Sequence, residues 1–271
     1  GKTDVPCTGE RGRISETAQY GNSCAGWKPE TGRIQKTDEG RKGRIMLTGK
    51  KAVIFDMDGS LVDSMWIWPE VDRIYMTKYH LSPPETFHKD IEGRSYTETA
   101  QYFVDTFSTL DRTVEQVMKE WRDMTIRLYA TKVFPKPGAV EFLESMRRAG
   151  VELGIATSNN REIAEAALNA RNLAGFFDSV RTSCEVAAGK PAPDVYLKVA
   201  DDLRVSPGEC LVFEDVPNGI LAGKNAGMEV CAVDDAFSRK YEREKKRLAD
   251  YFIRDFYEIM DESYEKCGVT E

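Results

Sequence analysis

Long hydrophobic runs are absent from this sequence of 271 residues, which limits where the protein can reside. The strongest apolar runs, at residues 52–55 and 210–213, contain four residues each, whereas a helix that spans a bilayer needs roughly 20. The first residues also lack the apolar stretch of about 7 to 15 residues that a secretory signal requires. We therefore expect a cytoplasmic protein without a membrane partner.

Metal-binding patterns based on cysteine and histidine are also missing. The six cysteines include no C-x-x-C pair, and the two histidines are too few to complete a zinc site. We expect the cysteines to be reduced thiols. The 38 lysines and arginines are outnumbered by 45 acidic residues, which gives a net charge of −7, so a phosphate backbone would repel the chain. Nucleic acid is not expected as a partner.

Residues 1–45 differ in composition from the rest of the chain. They contain nine basic and six acidic residues, eight glycines, and only four residues of the Leu, Ile, Val and Phe type. So little apolar surface cannot offset the entropy lost on ordering, and we expect a disordered leader. Two interpretations stay open: a genuine flexible extension, or a stretch upstream of a natural translation start at Met46, the first methionine.

Short apolar runs alternate with helical patterns after the leader. Strands are predicted at residues 51–56, 151–156, 210–213, 229–233 and 251–253, and helices at residues 138–149, 161–170, 194–203 and 219–226. This alternation favours an α/β fold with a doubly wound parallel sheet covered by helices on both faces. Residues 63–132 instead show three or four amphipathic helical patterns, and we predict an inserted helical cap domain there. The α/β core domain then comprises residues 46–62 and 133–271.

Polar residues follow several of the predicted strands. In an open parallel sheet, ligands bind beyond the carboxyl ends of the strands. The candidate site residues are therefore those directly after the strands, together with the lysine of a G-K-P-A-P-D loop: Asp56, Asp58, Thr157, Ser158, Asn159, Lys190, Glu214 and Asp215.

This set of side chains suits phosphate chemistry. Carboxylates packed at one sheet edge repel each other unless a cation neutralises them, and oxygen-rich sites suit Mg²⁺. A lysine and a hydroxyl beside the cation would hold an anion of the phosphate type. Asp56 could then attack phosphorus, and Asp58 could pass a proton to the leaving oxygen. Taken alone, each motif has a simpler explanation, such as a helix cap at Glu214 or a solvated Lys190.

Four motifs in order carry a resemblance to a known family. They are D-M-D-G-S at residues 56–60, Thr157 after a strand, Lys190 in G-K-P-A-P-D, and Glu214-Asp215 in F-E-D-V-P-N-G-I. With these motifs, the sequence from about residue 52 to residue 252 resembles the haloacid dehalogenase-like superfamily. Specifically, it resembles the phosphatase and β-phosphoglucomutase-like branch, whose members have a Rossmann-like core and a helical cap.

The resemblance implies a role for each candidate residue. It makes Asp56 the nucleophile and Asp58 the general acid and base. It implies phosphate contacts from Thr157, Ser158, Asn159 and Lys190. The Mg²⁺ ligands it implies are Asp56, the Asp58 carbonyl, Glu214 and Asp215.

The predicted cap contains candidates for substrate specificity, namely Trp66, Trp68 and Arg94. Tryptophans at such positions are more often core residues, and an arginine at a helix start is usually a solvated charge. Mutases of this branch carry a proton-transferring histidine where this chain has Trp68. Tyr96 stands where they carry a sugar-phosphate-binding arginine, although Arg94 is close enough to replace it. This departure favours hydrolysis over isomerisation.

We therefore predict a Mg²⁺-dependent phosphomonoesterase that hydrolyses a small phosphorylated metabolite, a sugar or nucleoside phosphate, through an aspartyl-phosphate. A β-phosphoglucomutase-like sugar phosphate mutase is the first alternative. The second alternative is a non-catalytic, metabolite-binding relative. It is disfavoured because Asp56, Asp58, Lys190 and Asp215 are all present.

Overall fold

The computed structural model describes residues 46–91 and 96–268, with the side chains of all of these except 88 and 89. The leader predicted at residues 1–45 lies outside the described residues. Met46, the first described residue, is fully buried and belongs to the hydrophobic core. The packed part of the protein therefore extends at least to this methionine.

Strands and helices alternate along the described residues. The strands are β1 (Ala52–Phe55), β2 (Val62–Asp63), β3 (Phe134–Pro135), β4 (Glu152–Thr157), β5 (Ser179–Thr182), β6 (Cys210–Glu214), β7 (Glu229–Val233), β8 (Tyr251–Ile253) and β9 (Glu265–Lys266). The helices are α1 (Ile67–Lys78), α2 (Phe87–Ile91), α3 (Tyr96–Thr106), α4 (Val114–Lys132), α5 (Ala139–Arg148), α6 (Arg161–Ala170), α7 (Asp194–Leu203), α8 (Pro217–Asn225), α9 (Glu242–Leu248) and α10 (Tyr257–Met260). Within residues 46–91 and 96–268, none of the helices has both the length and the apolar character needed to cross a membrane.

Seven strands of the described residues form one sheet in the order β5-β4-β1-β6-β7-β8-β9. Neighbouring strands from β5 to β8 are parallel, and β9 is antiparallel to β8 at the edge. At the centre, Phe55 of β1 is in register with Ile155 of β4 and Phe213 of β6. The carboxyl ends of these three strands therefore meet at one edge, and the predicted doubly wound α/β fold is confirmed.

Helices cover both faces of the sheet because its central strand is apolar on both. Val53 and Phe55 belong to one hydrophobic cluster with side chains of α5 and α6, whereas Ala52 and Ile54 belong to a second cluster with side chains of α7 and α8. Successive side chains of a strand point to opposite faces, so a strand covered on both sides is a continuous apolar run. For this reason the sequence pattern predicts β1, β6 and β7 to within one residue at each end.

The strands that the sequence pattern missed are short or lie at an edge. Arg181 in edge strand β5 pairs with Asp202 at 2.6 Å, so that strand has a polar side. β9, the other edge strand, has only two residues, both exposed. β2 and β3 form a separate antiparallel pair of two residues each. None of these strands contains the continuous apolar run by which a central strand is recognised.

Residues 63–132 are here called the cap segment, and their described part contains helices α1 to α4. The β2–β3 pair joins the two ends of this segment, with Val62 opposite Pro135. Helix α4 starts with a capping box, in which the Thr113 hydroxyl accepts the Gln116 backbone N–H and the Gln116 side chain accepts the Thr113 backbone N–H. In the centre of the cap segment the ring of Trp121 lies 4.9 Å from that of Phe103, edge to face.

Phe55 is the central side chain of an aromatic layer directly below the carboxyl edge of the sheet. It is fully buried, and its ring centroid lies between 5.2 and 6.2 Å from those of Phe142, Phe177, Phe213 and Phe256. Phe55→Ala removes these contacts and leaves a cavity, so we expect the free energy of unfolding to fall by about 3–5 kcal/mol in a denaturant titration. Phe237→Ala, at a side chain 47% exposed, is the control and should change it by less than about 0.5 kcal/mol. Equal effects of the two substitutions would contradict this account of the layer.

Candidate active site

Two neighbouring strands deliver three carboxylates to the same sheet edge. Asp56 directly follows β1, and its backbone N–H donates to the Phe213 carbonyl of β6 at 2.9 Å. Glu214 is the last residue of β6, and Asp215 follows it. All three side chains are buried, and one oxygen from each lies within 4.8 Å of the others. The fold therefore brings together the three carboxylates that the resemblance implies as metal ligands.

Lys190, in the loop before α7, bridges two of these carboxylates. Its ammonium group lies 2.6 Å from Asp56 Oδ1 and 2.6 Å from Glu214 Oε1, and it donates to the Ala156 carbonyl at 3.0 Å. Burial by itself lowers the pKa of Lys190, but the two carboxylates outweigh burial, so its pKa lies well above the usual value. Burial raises the pKa of Asp56, and the charge of Lys190 only partly offsets this. Lys190 is therefore a fixed positive charge at the centre of the site.

Both oxygens of Glu214 are occupied by hydrogen bonds. Oε1 accepts from Lys190 at 2.6 Å and from the Tyr196 hydroxyl at 2.9 Å, and Oε2 accepts from the next two backbone N–H groups at 3.0 and 3.3 Å. Gly219 in α8 leaves the necessary room, because a β-carbon there would lie 1.8 Å from Glu214 Oε1. The Glu214 carboxylate thus holds Lys190 in place and orients the end of β6.

Asp215 is the carboxylate with an unused oxygen. Its Oδ1 accepts from the Ser60 hydroxyl at 3.3 Å, whereas Oδ2 is buried without a hydrogen-bond partner in the described part of the chain. Burial, followed by the negative charge of Glu214, raises the pKa of Asp215 to about 7. The backbone approaches closely here, since a β-carbon at Gly59 (φ +82°) would lie 2.5 Å from Asp215 Oδ2. An orphaned buried carboxylate oxygen indicates a missing positive partner.

The donor set at this edge fits a divalent cation. Asp56, Glu214 and Asp215 carry three negative charges when ionised, and Lys190 supplies one positive charge. The site therefore keeps an excess of negative charge, and its oxygen donors are those that hard divalent cations prefer. The unpartnered Oδ2 of Asp215 is the donor best suited to such an ion.

Asp58, also after β1, is held by neutral donors. Its Oδ1 accepts from the Ser64 hydroxyl at 2.7 Å and from the Tyr129 hydroxyl, and its Oδ2 accepts from the Asn159 side-chain amide at 3.2 Å. Burial, followed by the charge of Asp58, raises the pKa of Tyr129, so its hydroxyl stays protonated and keeps donating. The carboxylate two residues earlier pairs instead with an ammonium group. The two carboxylates of the D-M-D motif thus have different electrostatic environments.

Four residues that donate hydrogen bonds to the site carboxylates were not identified as site residues from the sequence: Ser60, Ser64, Tyr129 and Tyr196. Ser64 could have been identified from the sequence, because it belongs to the L-V-D-S stretch that follows the first motif. Tyr129 lies 71 positions from Asp58, and Tyr196 lies 18 positions from Glu214. No local pattern links residues so far apart.

A cavity of about 440 Å³ opens over this edge between the sheet and the cap segment. Its lining includes eight of the residues that the sequence indicated: Asp56, Asp58, Trp68, Ser158, Asn159, Lys190, Glu214 and Asp215. Tyr96 of the cap segment also lines it. A larger depression of about 850 Å³ beside α9 and β9 contains none of these residues.

The structure does not bring every candidate into this lining. Thr157 is fully buried, and its hydroxyl accepts the Asn159 backbone N–H at 3.0 Å. Trp66 is partly buried against the core, and its indole N–H donates to the Asp63 carbonyl at 3.0 Å. Arg94 lies outside the described residues.

Comparison with known proteins assigns the chain to a family. Residues 50–227 match the family model for haloacid dehalogenase-like hydrolases. A phosphorylated carbohydrates phosphatase of Thermotoga maritima is 32% identical over 179 residues, which are 66% of this chain and 82% of that protein. Hexitol phosphatase A of Escherichia coli is 34% identical over 186 residues, which are 68% of this chain and 83% of that protein. The chain therefore belongs to the haloacid dehalogenase-like hydrolase family.

Solved structures share the fold. A Thermotoga maritima protein with a provisional β-phosphoglucomutase name superposes with a TM-score of 0.67 at 28% identity, and the match covers 79% of this chain and 98% of that one. CbbY from Rhodobacter sphaeroides, crystallised with phosphate, gives a TM-score of 0.65 at 22% identity over 78% of this chain and 96% of that one. The resemblance carried by the four motifs is thereby confirmed.

A divalent cation should stabilise the folded protein, because it relieves the repulsion among the three carboxylates. At 100 times the dissociation constant the gain is about 2.7 kcal/mol, which differential scanning calorimetry would detect as a rise in Tm between EDTA and Mg²⁺. We expect a larger rise at pH 8 than at pH 5.5, because the pKa of Asp215 is raised to about 7 and protons compete with the cation below it. Without the cation, this group's contribution to stability is present below pH 4 and is lost as the pH rises to about 7.

The control variants for this measurement are two Asp→Asn substitutions. Asp215→Asn should remove most of the Tm rise. Asp201→Asn, at a side chain 80% exposed, should leave it unchanged. An undiminished rise in Asp215→Asn would show that the cation binds elsewhere.

Proposed function

We propose that this chain is a Mg²⁺-dependent phosphomonoesterase that hydrolyses a small phosphorylated metabolite through an aspartyl-phosphate. The proposal rests on the different environments of the two carboxylates after β1. Asp56 is paired with the Lys190 ammonium, whose charge favours the ionised, nucleophilic carboxylate against the effect of burial, and Asp58 is held by hydroxyl and amide donors. Two relatives named as phosphatases, one of phosphorylated carbohydrates and one of hexitol phosphates, support the activity and its substrate class.

The first step transfers the phosphoryl group to the protein. An Asp56 carboxylate oxygen attacks phosphorus, so a new O–P bond forms while the bond to the leaving oxygen breaks. Protonated Asp58 gives its proton to the leaving oxygen, and an alcohol departs. Lys190 keeps the nucleophile in position. When bound, the divalent cation would neutralise charge on the phosphoryl oxygens. Asp56, Asp215 and the Asp58 carbonyl would hold it, and Glu214 would join them by exchanging one of its hydrogen bonds for the cation.

The second step releases phosphate. Asp58, now ionised, takes a proton from a water molecule whose oxygen attacks the phosphorus of the aspartyl-phosphate. The bond between phosphorus and the Asp56 oxygen breaks, inorganic phosphate leaves, and Asp56 is restored. Asp58 carries a proton again, ready for the next cycle. The donors from Ser64, Tyr129 and Asn159 keep Asp58 in one orientation through both roles.

The loop after β4 supplies the phosphate contacts in this proposal. Ser158 and Asn159 line the cavity and carry polar groups for phosphoryl oxygens. Thr157 is buried, and its hydroxyl accepts the Asn159 backbone N–H, so it acts by shaping the loop. Lys190 provides the positive charge.

Trp68 favours hydrolysis over isomerisation. It stands where the resemblance expects the proton-transferring histidine of the mutases, it lines the cavity, and an indole has no titratable nitrogen near neutral pH. Isomerisation of a sugar phosphate by the unmodified protein would overturn this choice. A non-catalytic role is disfavoured because Asp56, Asp58, Lys190 and Asp215 line one cavity.

Substitution of Asp56 and substitution of Asp58 should reduce activity in different ways. The wild-type protein with Mg²⁺ is expected to release phosphate from p-nitrophenyl phosphate and from sugar phosphates. Asp56→Asn removes the nucleophile, so turnover should fall to background. Asp58→Asn keeps the nucleophile but loses the acid and base, so turnover should fall about 10² to 10⁴-fold, and least for good leaving groups.

Mass spectrometry of the intact, acid-quenched protein separates the two roles. Asp58→Asn should carry one added phosphoryl group, because its phosphoenzyme forms but lacks the base for hydrolysis. Asp56→Asn should carry none, and the surface control Asp201→Asn should behave like the wild type. A phosphoryl adduct on Asp56→Asn would refute the assignment of the nucleophile.

Tyr129→Phe tests the hydrogen bond that the cap segment donates to Asp58. A hydrogen bond to a charged group contributes about 1.5–3 kcal/mol, so we expect kcat for alkyl phosphates to fall by about 10- to 100-fold. The loss should be smaller for p-nitrophenyl phosphate, whose leaving group needs little protonation. Tyr79→Phe is the matched control, because the Tyr79 hydroxyl donates to Glu120 at the surface of the cap segment. The same kcat in both variants would exclude a role for Tyr129 in positioning Asp58.

A further inference from the structure

A second cavity, here called the inner cavity, lies within the cap segment. It measures about 240 Å³, and its lining residues come from α1, α2, α3 and α4. The side chains that matter for its chemistry are Trp68, Asp72, Tyr96, Trp121 and Thr125. Complete small-molecule pockets have roughly 300–1,000 Å³. The inner cavity is therefore suited to one part of a ligand.

The inner cavity adjoins the cavity over the sheet edge. Trp68 and Tyr96 line both of them and are 37% and 40% exposed. The Tyr96 hydroxyl donates to the Met118 carbonyl at 3.1 Å, which ties this ring to α4. A group attached to a phosphate at Asp56 can therefore extend past these two rings into the inner cavity.

Two buried polar groups of α4 stand at the inner cavity without a partner. Trp121 is 3% exposed and Thr125 is 1% exposed. Neither Trp121 Nε1 nor Thr125 Oγ1 has a hydrogen-bond partner among the described residues. Unpaired buried donors are rare in folded proteins because they lose their hydrogen bonds to water. A ligand with hydroxyl groups would satisfy both.

The indole N–H of Trp121 is held in a fixed position. Its ring meets those of Tyr75, Tyr96 and Phe103 edge to face, with centroids 5.7, 5.7 and 4.9 Å away. Thr125 follows one helical turn later, and side chains four residues apart lie on the same face of a helix. The two polar groups therefore form a preorganised pair, which lowers the ordering cost of binding.

The charge at the inner cavity argues against a second phosphate. Asp72 is the charged residue among the described residues that line it. The described lining contains no lysine or arginine that could hold a phosphate. An uncharged polyhydroxy group therefore suits this cavity better than a phosphate does.

We propose that the inner cavity is a subsite for the uncharged, hydroxyl-bearing end of the substrate, with Trp121 Nε1 donating to one hydroxyl and Thr125 Oγ1 pairing with another. The inference rests on the proposed phosphatase function and narrows its substrate to a monophosphate of a sugar or sugar alcohol. It disfavours sugar bisphosphates, because no basic residue is among the described residues that line the inner cavity.

Thr125→Val tests the subsite, because it removes the hydroxyl while nearly preserving the shape. The probes are glucitol 6-phosphate, mannitol 1-phosphate and glucose 6-phosphate, with acetyl phosphate as the short reference substrate. For the best of the three, the ratio of its kcat/KM to that of acetyl phosphate should fall about 5- to 100-fold, mainly through KM, since a substrate hydroxyl is left unpaired. Trp121→Phe should act in the same direction. Thr131→Val is the matched control, because the Thr131 hydroxyl is on α4 but bonds the Arg127 carbonyl at the surface.

Binding without turnover provides an independent measurement. In the Asp56→Asn background, calorimetric affinity for the best hexose or hexitol phosphate should fall by a similar factor on adding Thr125→Val, with affinity for inorganic phosphate as the reference. Three results would overturn the subsite and leave the phosphatase assignment intact. The first is an unchanged ratio of kcat/KM between the hexose or hexitol phosphate and acetyl phosphate, and the second is an equal loss of kcat/KM on both. The third is a preference for adenosine 5′-phosphate or a sugar bisphosphate. No phosphate release from any of these substrates, acetyl phosphate included, would instead contradict the proposed function itself.

Discussion

The site depends on one buried interaction, the bridge that Lys190 forms between Asp56 and Glu214. The ammonium group lies 2.6 Å from each carboxylate, and the three side chains are 6%, 9% and 0% exposed. Taking charges out of water costs several kcal/mol per ion, so such an arrangement persists only when every partner is held in register. The pairing of β1 with β6 holds the carboxylates, and the loop before α7 holds the lysine. Loss of one partner would leave a buried charge without compensation, at a cost of about 3–5 kcal/mol.

The charge balance around this bridge explains the remaining features of the sheet edge. Lys190 neutralises one of the carboxylates. The excess negative charge is felt at Asp215, whose pKa is raised to about 7 by burial and then by the charge of Glu214. In the proposed function, a divalent cation would complete the balance. Asp58 stands apart because hydroxyl and amide donors hold it and Lys190 does not. One strand end thus supplies two carboxylates with different surroundings.

Helix α4 links the cap segment to the chemistry of the sheet edge. Trp121, Thr125 and Tyr129 are spaced four residues apart along it and therefore lie on one face. Tyr129 donates to Asp58, while Trp121 and Thr125 border the inner cavity. In the proposed function, the same helix face positions the proton-transfer group and selects the leaving group. A shift of α4 would alter both, which couples recognition of the substrate to its cleavage.

The sequence by itself determines the central strands and the residues that follow them. A strand covered on both faces is a continuous apolar run, and parallel strands end at one sheet edge, so β1 and β6 predict Asp56 and Asp215 as neighbours. The same reasoning does not identify edge strand β5, because that strand is partly polar. The donation from Tyr129 to Asp58 spans 71 positions, and the inner cavity exists only where four helices meet. Tertiary structure alone decides such contacts, because no local pattern records which helix face packs over which strand end.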